Sequence, residues 1–250
     1  MAQSEGARTL ILRSQSLGDC ERMQATTPAR VVPVWASPIE ARILAMLRDG
    51  WVDATAALRV IRHRLELRRS QGMWTFGVTS ARSAEGKTTL ATQLALVLSE
   101  AQRARVLLVE ANMHRPAIAR LLGFQVPAGM GFSVQLARRM GGGVDPWTVL
   151  ALGSSMHVLP ENEAEPGYPD TLYSTHFRQA IDQLARVYDW VIVDAPSVLG
   201  SGDANVVEEA VDGMIVAARS RASRGADLRA AMRQLGDRKA VGVVLWDARR

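Results

Sequence analysis

A short apolar segment, a loop of small residues and a long helical pattern follow one another from Trp74 to Leu98, and this order constrains the fold of the whole chain. The loop reads Ala81-Arg-Ser-Ala-Glu-Gly-Lys87-Thr88, close to the phosphate-loop pattern G-x-x-x-x-G-K-[ST]. In such a loop, backbone N–H groups surround a phosphate at the N-terminus of a helix. The sequence therefore predicts a nucleotide site, and the alternative is an ordinary strand–turn–helix with a chance G-K-T.

Two residues of this loop have side chains suited to a nucleotide and its metal. We expect Lys87 to bind the outer phosphates and take part in catalysis, and the hydroxyl of Thr88 to bind magnesium. Only two of the thirty Lys and Arg residues are lysines, which indicates that arginine would not fit at Lys87. The first position is alanine, whose Cβ crowds a backbone near a phosphate. The predicted nucleotide-binding residues are Ala81, Arg82, Ser83, Ala84, Glu85, Gly86, Lys87, Thr88 and Thr89.

Two further apolar segments, Arg105–Glu110 and Trp190–Asp194, end in acidic residues. Nearly continuous apolar runs are typical of strands buried on both faces of a parallel sheet, whose carboxyl ends bind ligands. We expect Glu110 to hold magnesium or orient an attacking group, and Asp194 to reach the magnesium shell. Both are predicted catalytic and metal-binding residues. For the segment after Glu110, the alternative is a capping turn before the helix at Pro116.

Strands and helices alternate after the phosphate loop, and this pattern predicts the fold class. Residues 73–250 are expected to form an α/β domain, a doubly wound and mainly parallel sheet with helices on both faces. Asp203 is expected to cap one of its helices. Residues 37–72 are expected to form helices that pack on this core or mediate self-association. Residues 1–36, rich in Ser, Thr, Arg and Gln, are predicted to be a disordered arm.

Composition narrows the class of protein. Apolar residues make up 48% of the chain, enough for a sizeable core, and the net charge of +5 gives no strong nucleic-acid signal. The single cysteine, Cys20, excludes an intramolecular disulfide and fits a reducing cytosol. We find no signal-peptide pattern and no apolar run that could span a bilayer, so the expected location is cytoplasmic.

From about Val52 to Trp246 the chain resembles the cytoplasmic bacterial tyrosine kinases of capsule and exopolysaccharide synthesis, relatives of the Min- and Par-type positioning ATPases. The family loop T-S-x-x-P-G-E-G-K-[ST] matches Thr79–Thr88, with departures at Ser83 and Ala84. Its second motif, D-x-D-x-R-x-P, reads Glu110-Ala-Asn112-Met-His-Arg115-Pro116, so both aspartates are changed. Its third, D-x-x-P, appears as Asp194-Ala195-Pro196-Ser197 with the proline one place early.

The resemblance implies a P-loop NTPase fold, ATP and Mg²⁺ as cofactors, and a membrane-embedded chain-length (co-polymerase) protein as partner. It also implies a homo- or hetero-oligomer with contacts through Arg59 and Arg62. These are the two arginines of the family motif E-x-x-R-x-x-R, whose glutamate is replaced by Ala56 here. The family's C-terminal tyrosine cluster is absent from this sequence. The asparagine that helps to read adenine is replaced by Trp246, whose indole can stack on a base but cannot accept a hydrogen bond.

The resemblance implies an ATP-binding, tyrosine-kinase-like protein that regulates exopolysaccharide polymerisation or export from the cytoplasmic face of the inner membrane. We expect retained nucleotide binding and weakened phosphoryl transfer, because Glu110 is a methylene longer than aspartate and Asn112 lacks its charge. One alternative is a Min- or Par-type positioning ATPase, with Arg82 at the place of the lysine that crosses to a partner's phosphate. The other is a non-catalytic nucleotide-binding scaffold.

Overall fold

A computed structural model describes residues 31–35, 52–100, 104–163, 167–236 and 239–246. Residues 37–51 of the predicted N-terminal helices, and residues 1–30 and 36 of the predicted N-terminal arm, lie outside these residues. Within them the strands are β1 (Val31–Trp35), β2 (Thr75–Ser80), β3 (Val106–Glu110), β4 (Trp147–Ala151), β5 (Met156–Leu159), β6 (Trp190–Asp194), β7 (Gly213–Arg219) and β8 (Ala240–Trp246). The helices are α1 (Val52–Arg69), α2 (Lys87–Ser99), α3 (Ile118–Leu122), α4 (Phe132–Met140), α5 (Thr175–Ala185), α6 (Asp203–Ala210) and α7 (Gly225–Leu235), with a 3₁₀ helix at Pro169–Tyr173.

The strands form one sheet in the order β1-β4-β5-β3-β6-β2-β7-β8. Every neighbouring pair is parallel except β4 and β5, which are antiparallel. The three central strands β3, β6 and β2 therefore point the same way, and their carboxyl ends lie side by side. In the register of β3 and β6, Glu110 is the partner of Asp194. The predicted doubly wound, mainly parallel sheet is confirmed.

Apolar side chains on both faces of the sheet explain why helices cover it on both sides. In β3, Leu107 and Val109 face one core and Val106 and Leu108 face the other. The first core includes residues of α4, α5, α6 and α7, and the second includes residues of α1, α2 and α3. A strand that is apolar at every position is needed only when both of its faces are buried.

Two strands at one side of the sheet differ from the sequence prediction. The predicted disordered arm contains β1, which pairs with β4 at the edge of the sheet, so the prediction was wrong at residues 31–35. Three valines favour a strand there, and Pro33 is tolerated because an edge strand needs fewer N–H donors. The strand β4 was not predicted either. Both strands are short, and the local sequence of each gives no indication of the distant strand with which it pairs.

The helix α1 is attached to the sheet domain by its apolar face and by its last residue. Leu58 and Leu65 are buried in the core shared with α2 and α3. The guanidinium of Arg69 lies 4.8 Å from the ring centre of Trp74 and 5.2 Å from that of Trp190, and it donates a hydrogen bond of 3.0 Å to Asp189. None of the described helices has the length and apolar character needed to cross a membrane.

Candidate functional site

The loop between β2 and α2 has the compact turn that its sequence predicts. Gly86 precedes the helix with φ of 86°, and Ala84 has φ of 64°. A left-handed conformation is ordinary for glycine but costs an alanine roughly 1–2 kcal/mol. The family pattern has glycine at the position of Ala84. In this chain the turn is therefore retained with an alanine, Ala84, whose backbone is strained.

The loop is held by its own side chains. Ser80 donates its hydroxyl hydrogen to the carbonyl of Arg82, 2.6 Å away, and the amide of Arg82 donates to the buried carboxylate of Glu85 at 2.8 Å. The guanidinium of Arg82 forms a two-pronged ion pair with Asp227 in the first turn of α7, at 2.7 and 3.0 Å. This pair raises the pKa of Arg82 and lowers that of Asp227.

Lys87 and Thr88 both meet Asp194 at the carboxyl end of β6. The hydroxyl of Thr88 donates to Oδ2 of Asp194 at 2.7 Å, and Nζ of Lys87 lies 3.9 Å from Oδ1. Asp194 is fully buried, and Oδ1 has no hydrogen-bond partner in the described part of the chain. Burial raises the pKa of Asp194, while Lys87 and Thr88 act to lower it.

This arrangement suits a magnesium ion that is held jointly with a nucleotide. Mg²⁺ prefers hard oxygen ligands and is usually bound by one or two protein groups together with phosphates and water. The hydroxyl of Thr88 and Oδ1 of Asp194, which accepts no hydrogen bond from the described residues, are ligands of that kind. Among the described residues no group of three or more His, Cys, Asp or Glu side chains could hold a metal by itself. The donor set therefore fits a shared magnesium better than a permanent metal centre.

Glu110 lies beside Asp194 in the sheet, but its carboxylate is already bound. One oxygen, Oε1, accepts hydrogen bonds from the amides of Ala117 and Ile118, at the start of α3, and Oε2 accepts from the amide of Glu161 at 3.1 Å. Burial, and to a smaller extent the nearby Asp194, raise the pKa of Glu110 to about 7. The geometry resembles the capping turn that was the alternative for this segment. The predicted catalytic and metal-binding role of Glu110 stays a prediction.

Asn112 also makes a local contact. Its side-chain amide donates to the carbonyl of Arg115 at 2.7 Å, and the amide of Arg115 donates to the carbonyl of Asn112 at 3.1 Å. Asn112 therefore closes the turn after β3. The second motif of the family is occupied here by residues whose polar groups shape the backbone.

Trp246, at the end of β8, contacts the loop directly, a feature that sequence reasoning missed. Its indole Nε1–H donates to the carbonyl of Glu85 at 2.8 Å. A Cβ on Gly86 would lie 1.8 Å from Cζ2 of Trp246, so the ring packs against bare backbone. The guanidinium of Arg219 lies 5.6 Å from the centre of the indole ring. The indole hydrogen is therefore used by the loop and is not free for a base.

The two predicted oligomer-contact residues bind their own chain in this structure. Nε of Arg59 lies 3.2 Å from Glu100. Nη1 of Arg62 donates to the carbonyl of Val97 at 3.3 Å and lies 3.9 Å from Glu100. Both side chains thus hold α1 against the end of α2. Their contact with another subunit stays a prediction.

The chain was compared with known proteins. No family model matches it. It is 25% identical over 173 residues to the tyrosine-protein kinase CpsD of Streptococcus agalactiae serotype III, covering 67% of this chain and 72% of the relative. It is 26% identical over 181 residues to the tyrosine-protein kinase YwqD of Bacillus subtilis, covering 72% and 74%. The predicted resemblance to bacterial tyrosine kinases is confirmed.

Solved structures agree on the fold. The kinase domain of the Escherichia coli tyrosine kinase ETK superposes with a TM-score of 0.70 and 23% identity over 82% of this chain and 80% of that chain. A cobyrinic acid a,c-diamide synthase from Mycobacterium smegmatis, with a bound ATP analogue and magnesium, gives 0.50 and 22% over 69% and 72%. At these identities the likeness establishes the fold alone, a mainly parallel sheet with helices, which confirms the predicted fold class.

Proposed function

We propose that the chain binds ATP with Mg²⁺ at the loop 81–89 and acts as a tyrosine-kinase-like regulator of exopolysaccharide or capsule polymerisation and export. One observation carries the nucleotide site. The hydroxyl of Thr88 and the ammonium of Lys87 converge on the buried Asp194, whose Oδ1 has no hydrogen-bond partner among the described residues. A carboxylate oxygen that accepts no hydrogen bond is costly to bury, and a cation shared with a triphosphate would offset that cost.

Each of these residues has a defined task in the proposed site. Lys87 exchanges its contact with Asp194 for the outer phosphate oxygens, and the amides at the start of α2 donate to the phosphates. Thr88 and Asp194 hold the metal, which when bound neutralises charge on the triphosphate. Arg82 is held by Asp227. It has to break that ion pair before it can reach the phosphate of a nucleotide bound to its own chain or to another chain.

The contacts of Glu110 and Asn112 support slow phosphoryl transfer. The carboxylate of Glu110 accepts three backbone amides, and the amide of Asn112 closes a turn, so neither group is available to a phosphate without rearrangement. A displacement of about 1 Å in a catalytic group can cost about 100-fold in rate. These contacts also favour the second candidate function, a nucleotide-binding scaffold that transfers no phosphoryl group.

Calorimetry with MgATP, in parallel with Lys87→Ala, tests the nucleotide site. We expect binding by the natural chain and loss of binding in the variant, with Arg233→Ala on the exposed side of α7 as the control. No detectable binding at millimolar MgATP contradicts the proposed function. An ATPase assay and phosphotyrosine detection then separate a slow kinase, which we expect, from a scaffold. Turnover as fast as that of an efficient kinase would exclude the weakened site.

We further propose that the chain works at the cytoplasmic face of the inner membrane, through a membrane-embedded chain-length protein and in an oligomer. The resemblance supports this partner, and an adjacent gene for such a protein together with co-purification tests it. Arg59 and Arg62 would have to exchange Glu100 for a neighbouring subunit. Sedimentation of the double variant Arg59→Ala/Arg62→Ala, with Arg64→Ala as the matched control on the same helix, tests whether these arginines hold an oligomer together.

A further inference from the structure

Three polar side chains meet near the carboxyl ends of the parallel strands, on the same side of the sheet as the phosphate loop. They are a tyrosine, an aspartate and a histidine. The hydroxyl of Tyr173 donates a short hydrogen bond to Oδ1 of Asp203, and Nε2 of His114 lies 3.8 Å from Oδ2 of the same carboxylate. His114 belongs to the connection that follows β3, and Asp203 is the first residue of the helix that follows β6. Both connections begin at the carboxyl ends of central parallel strands, where ligands bind in such sheets.

This contact is not the helix cap that the sequence predicts for Asp203. The cap position is Gly202, which has no side chain to cap α6. Only 4% of Asp203 is exposed, yet its carboxylate accepts a hydrogen bond from Tyr173, a residue that is 56% exposed. A buried carboxylate that accepts a hydrogen bond from the hydroxyl of an exposed tyrosine is placed to accept its proton.

The 3₁₀ helix that carries Tyr173 is tied to the connection after β3 by a second contact. The hydroxyl of Thr171 lies 3.8 Å from the sulfur of Met113, and His114 is the next residue. The hydrogen bond to Asp203 raises the pKa of Tyr173, so the phenol keeps its proton at neutral pH until the carboxylate takes it. The ring of Tyr173 is thus held beside the connection after β3, which carries the second motif of the family.

The other tyrosines lack this arrangement. Tyr168 is 54% exposed, close to the value for Tyr173, but its contacts are made by its backbone: its amide donates to Ser133 and its carbonyl accepts from Thr171. Tyr188 is buried, and its hydroxyl is 2.7 Å from Nδ1 of His157. Tyr173 therefore combines exposure with a carboxylate base.

We propose that Tyr173 is a phosphorylation site of this chain, with Asp203 as the base and ATP as the donor. This inference rests on the proposed function. The phenol oxygen forms a bond to the γ-phosphorus of ATP, the bond from that phosphorus to the β–γ bridging oxygen breaks, and ADP leaves with the electron pair. The phenol proton passes to Asp203. Once Asp203 releases that proton, two negative groups face each other, and their repulsion moves the phosphorylated ring away from α6.

The full chain is incubated with MgATP, and the modified residue is located by tandem mass spectrometry, while calorimetry measures nucleotide binding on the same samples. We expect phosphate on Tyr173, its loss in Tyr173→Phe, and its retention in the matched control Tyr168→Phe. Asp203→Asn keeps the shape of the side chain but removes the base, and we expect phosphorylation slowed about 100-fold or more.

The outcomes separate the two proposals. A chain that binds MgATP but carries phosphate on Tyr168, on Tyr188 or on no tyrosine overturns this inference and leaves the nucleotide site standing. A chain that does not bind MgATP overturns both. Unchanged phosphorylation in Asp203→Asn overturns the role of the base. In a mixture with tagged Lys87→Ala chain, phosphate on the tagged chain identifies a second copy as donor, and phosphate on the untagged chain alone identifies transfer within one chain.

Discussion

The indole Nε1–H of Trp246 donates a hydrogen bond of 2.8 Å to the carbonyl of Glu85, and its ring packs against Gly86. The last strand of the sheet is thereby connected to the peptide that a bound phosphate has to approach. Because glycine has no side chain, the ring lies directly on the backbone of the loop. Any movement of the loop on nucleotide binding changes the surroundings of this indole.

Replacing this side chain tests that connection. We expect MgATP to change the tryptophan fluorescence of the natural chain, because the peptide that binds the indole moves when phosphate enters the loop. In Trp246→Phe the fluorescence response should be lost. Nucleotide binding measured by calorimetry should weaken by about tenfold or less, because the variant loses the net contribution of one hydrogen bond. The control is Trp74→Phe, at the other end of β2. A response that persists in Trp246→Phe would show that another tryptophan reports on binding.

Asp194 is predicted to act through its charge. In Asp194→Asn the magnesium-dependent gain in ATP affinity should fall by at least about tenfold, because the buried carboxylate no longer binds the cation. With a chelator present, the variant should bind ATP at least as tightly as the natural chain, since the repulsion between carboxylate and triphosphate is gone. Calorimetry with magnesium and with chelator measures both effects. Equal losses in the two conditions would mean that the variant has lost its fold rather than its metal ligand.

Glu110 gives the stability of the fold a defined pH dependence. Its pKa is about 7 in the folded chain and about 4.5 in an ordinary environment, so between these values the folded state binds more protons than the unfolded state. The free energy of unfolding should therefore fall as the pH rises from about 4.5 to about 7, with a contribution of roughly 3 kcal/mol, and show no further Glu110 slope above that. Urea titrations at a series of pH values should show a flatter curve for Glu110→Gln. Parallel curves for the two proteins would contradict this.

Ala84 carries the strain of the loop. Its φ of 64° is favourable for glycine and unfavourable for alanine, so Ala84→Gly should raise the free energy of unfolding by about 1 kcal/mol. The matched control is Ala81→Gly in the same loop. Ala81 is buried and has no positive φ, so that change should lower stability by about 1 kcal/mol. Urea denaturation of both variants measures the difference, and equal effects would mean that strain at Ala84 is absent.

The central sheet could be predicted because each of its strands corresponds to a short apolar segment of the sequence. The strand β3 is apolar on both faces and ends in Glu110, and its neighbour in the sheet, β6, ends in Asp194, so the two acidic residues mark the carboxyl edge. The phosphate loop could be predicted for a similar reason, since its spacing is local. Asp194 is brought to Thr88 by the pairing of β2 with β6, which parallel-sheet topology makes predictable.

The remaining features depend on contacts between distant parts of the chain. Trp246 meets Glu85 across 161 positions of sequence, and the carboxylate of Glu110 meets an amide 51 positions away. No local sequence pattern predicts a contact between residues so far apart in the chain. The strand β1 was missed because only the free edge of β4 gives it a partner. Asp203 looked like a cap from its position before a helix, and only the packing of the 3₁₀ helix directs it to Tyr173.

Lys239, the second of the two lysines in the sequence, also lies where an arginine would fit poorly. The ammonium of Lys239 donates to the carbonyls of Glu208, Glu209 and Val211 at 2.6, 3.2 and 2.9 Å, at the end of α6. Three carbonyls that converge on one point suit a compact ammonium, and the cation also meets the negative end of the helix dipole. A planar guanidinium cannot place three donors in that space.

Lys239→Arg should therefore lower the free energy of unfolding by about 1–2 kcal/mol, although it keeps the charge. Lys239→Met should cost about the same or more, because the three carbonyls then lose their shared donor. The control is Arg233→Lys, an exposed position in the last turn of α7, which should change stability by less than about 0.5 kcal/mol. Urea denaturation of the three variants compares these values. If Lys239→Arg unfolds at the same free energy as the natural chain, size and shape of the cation do not explain why lysine stands at this position.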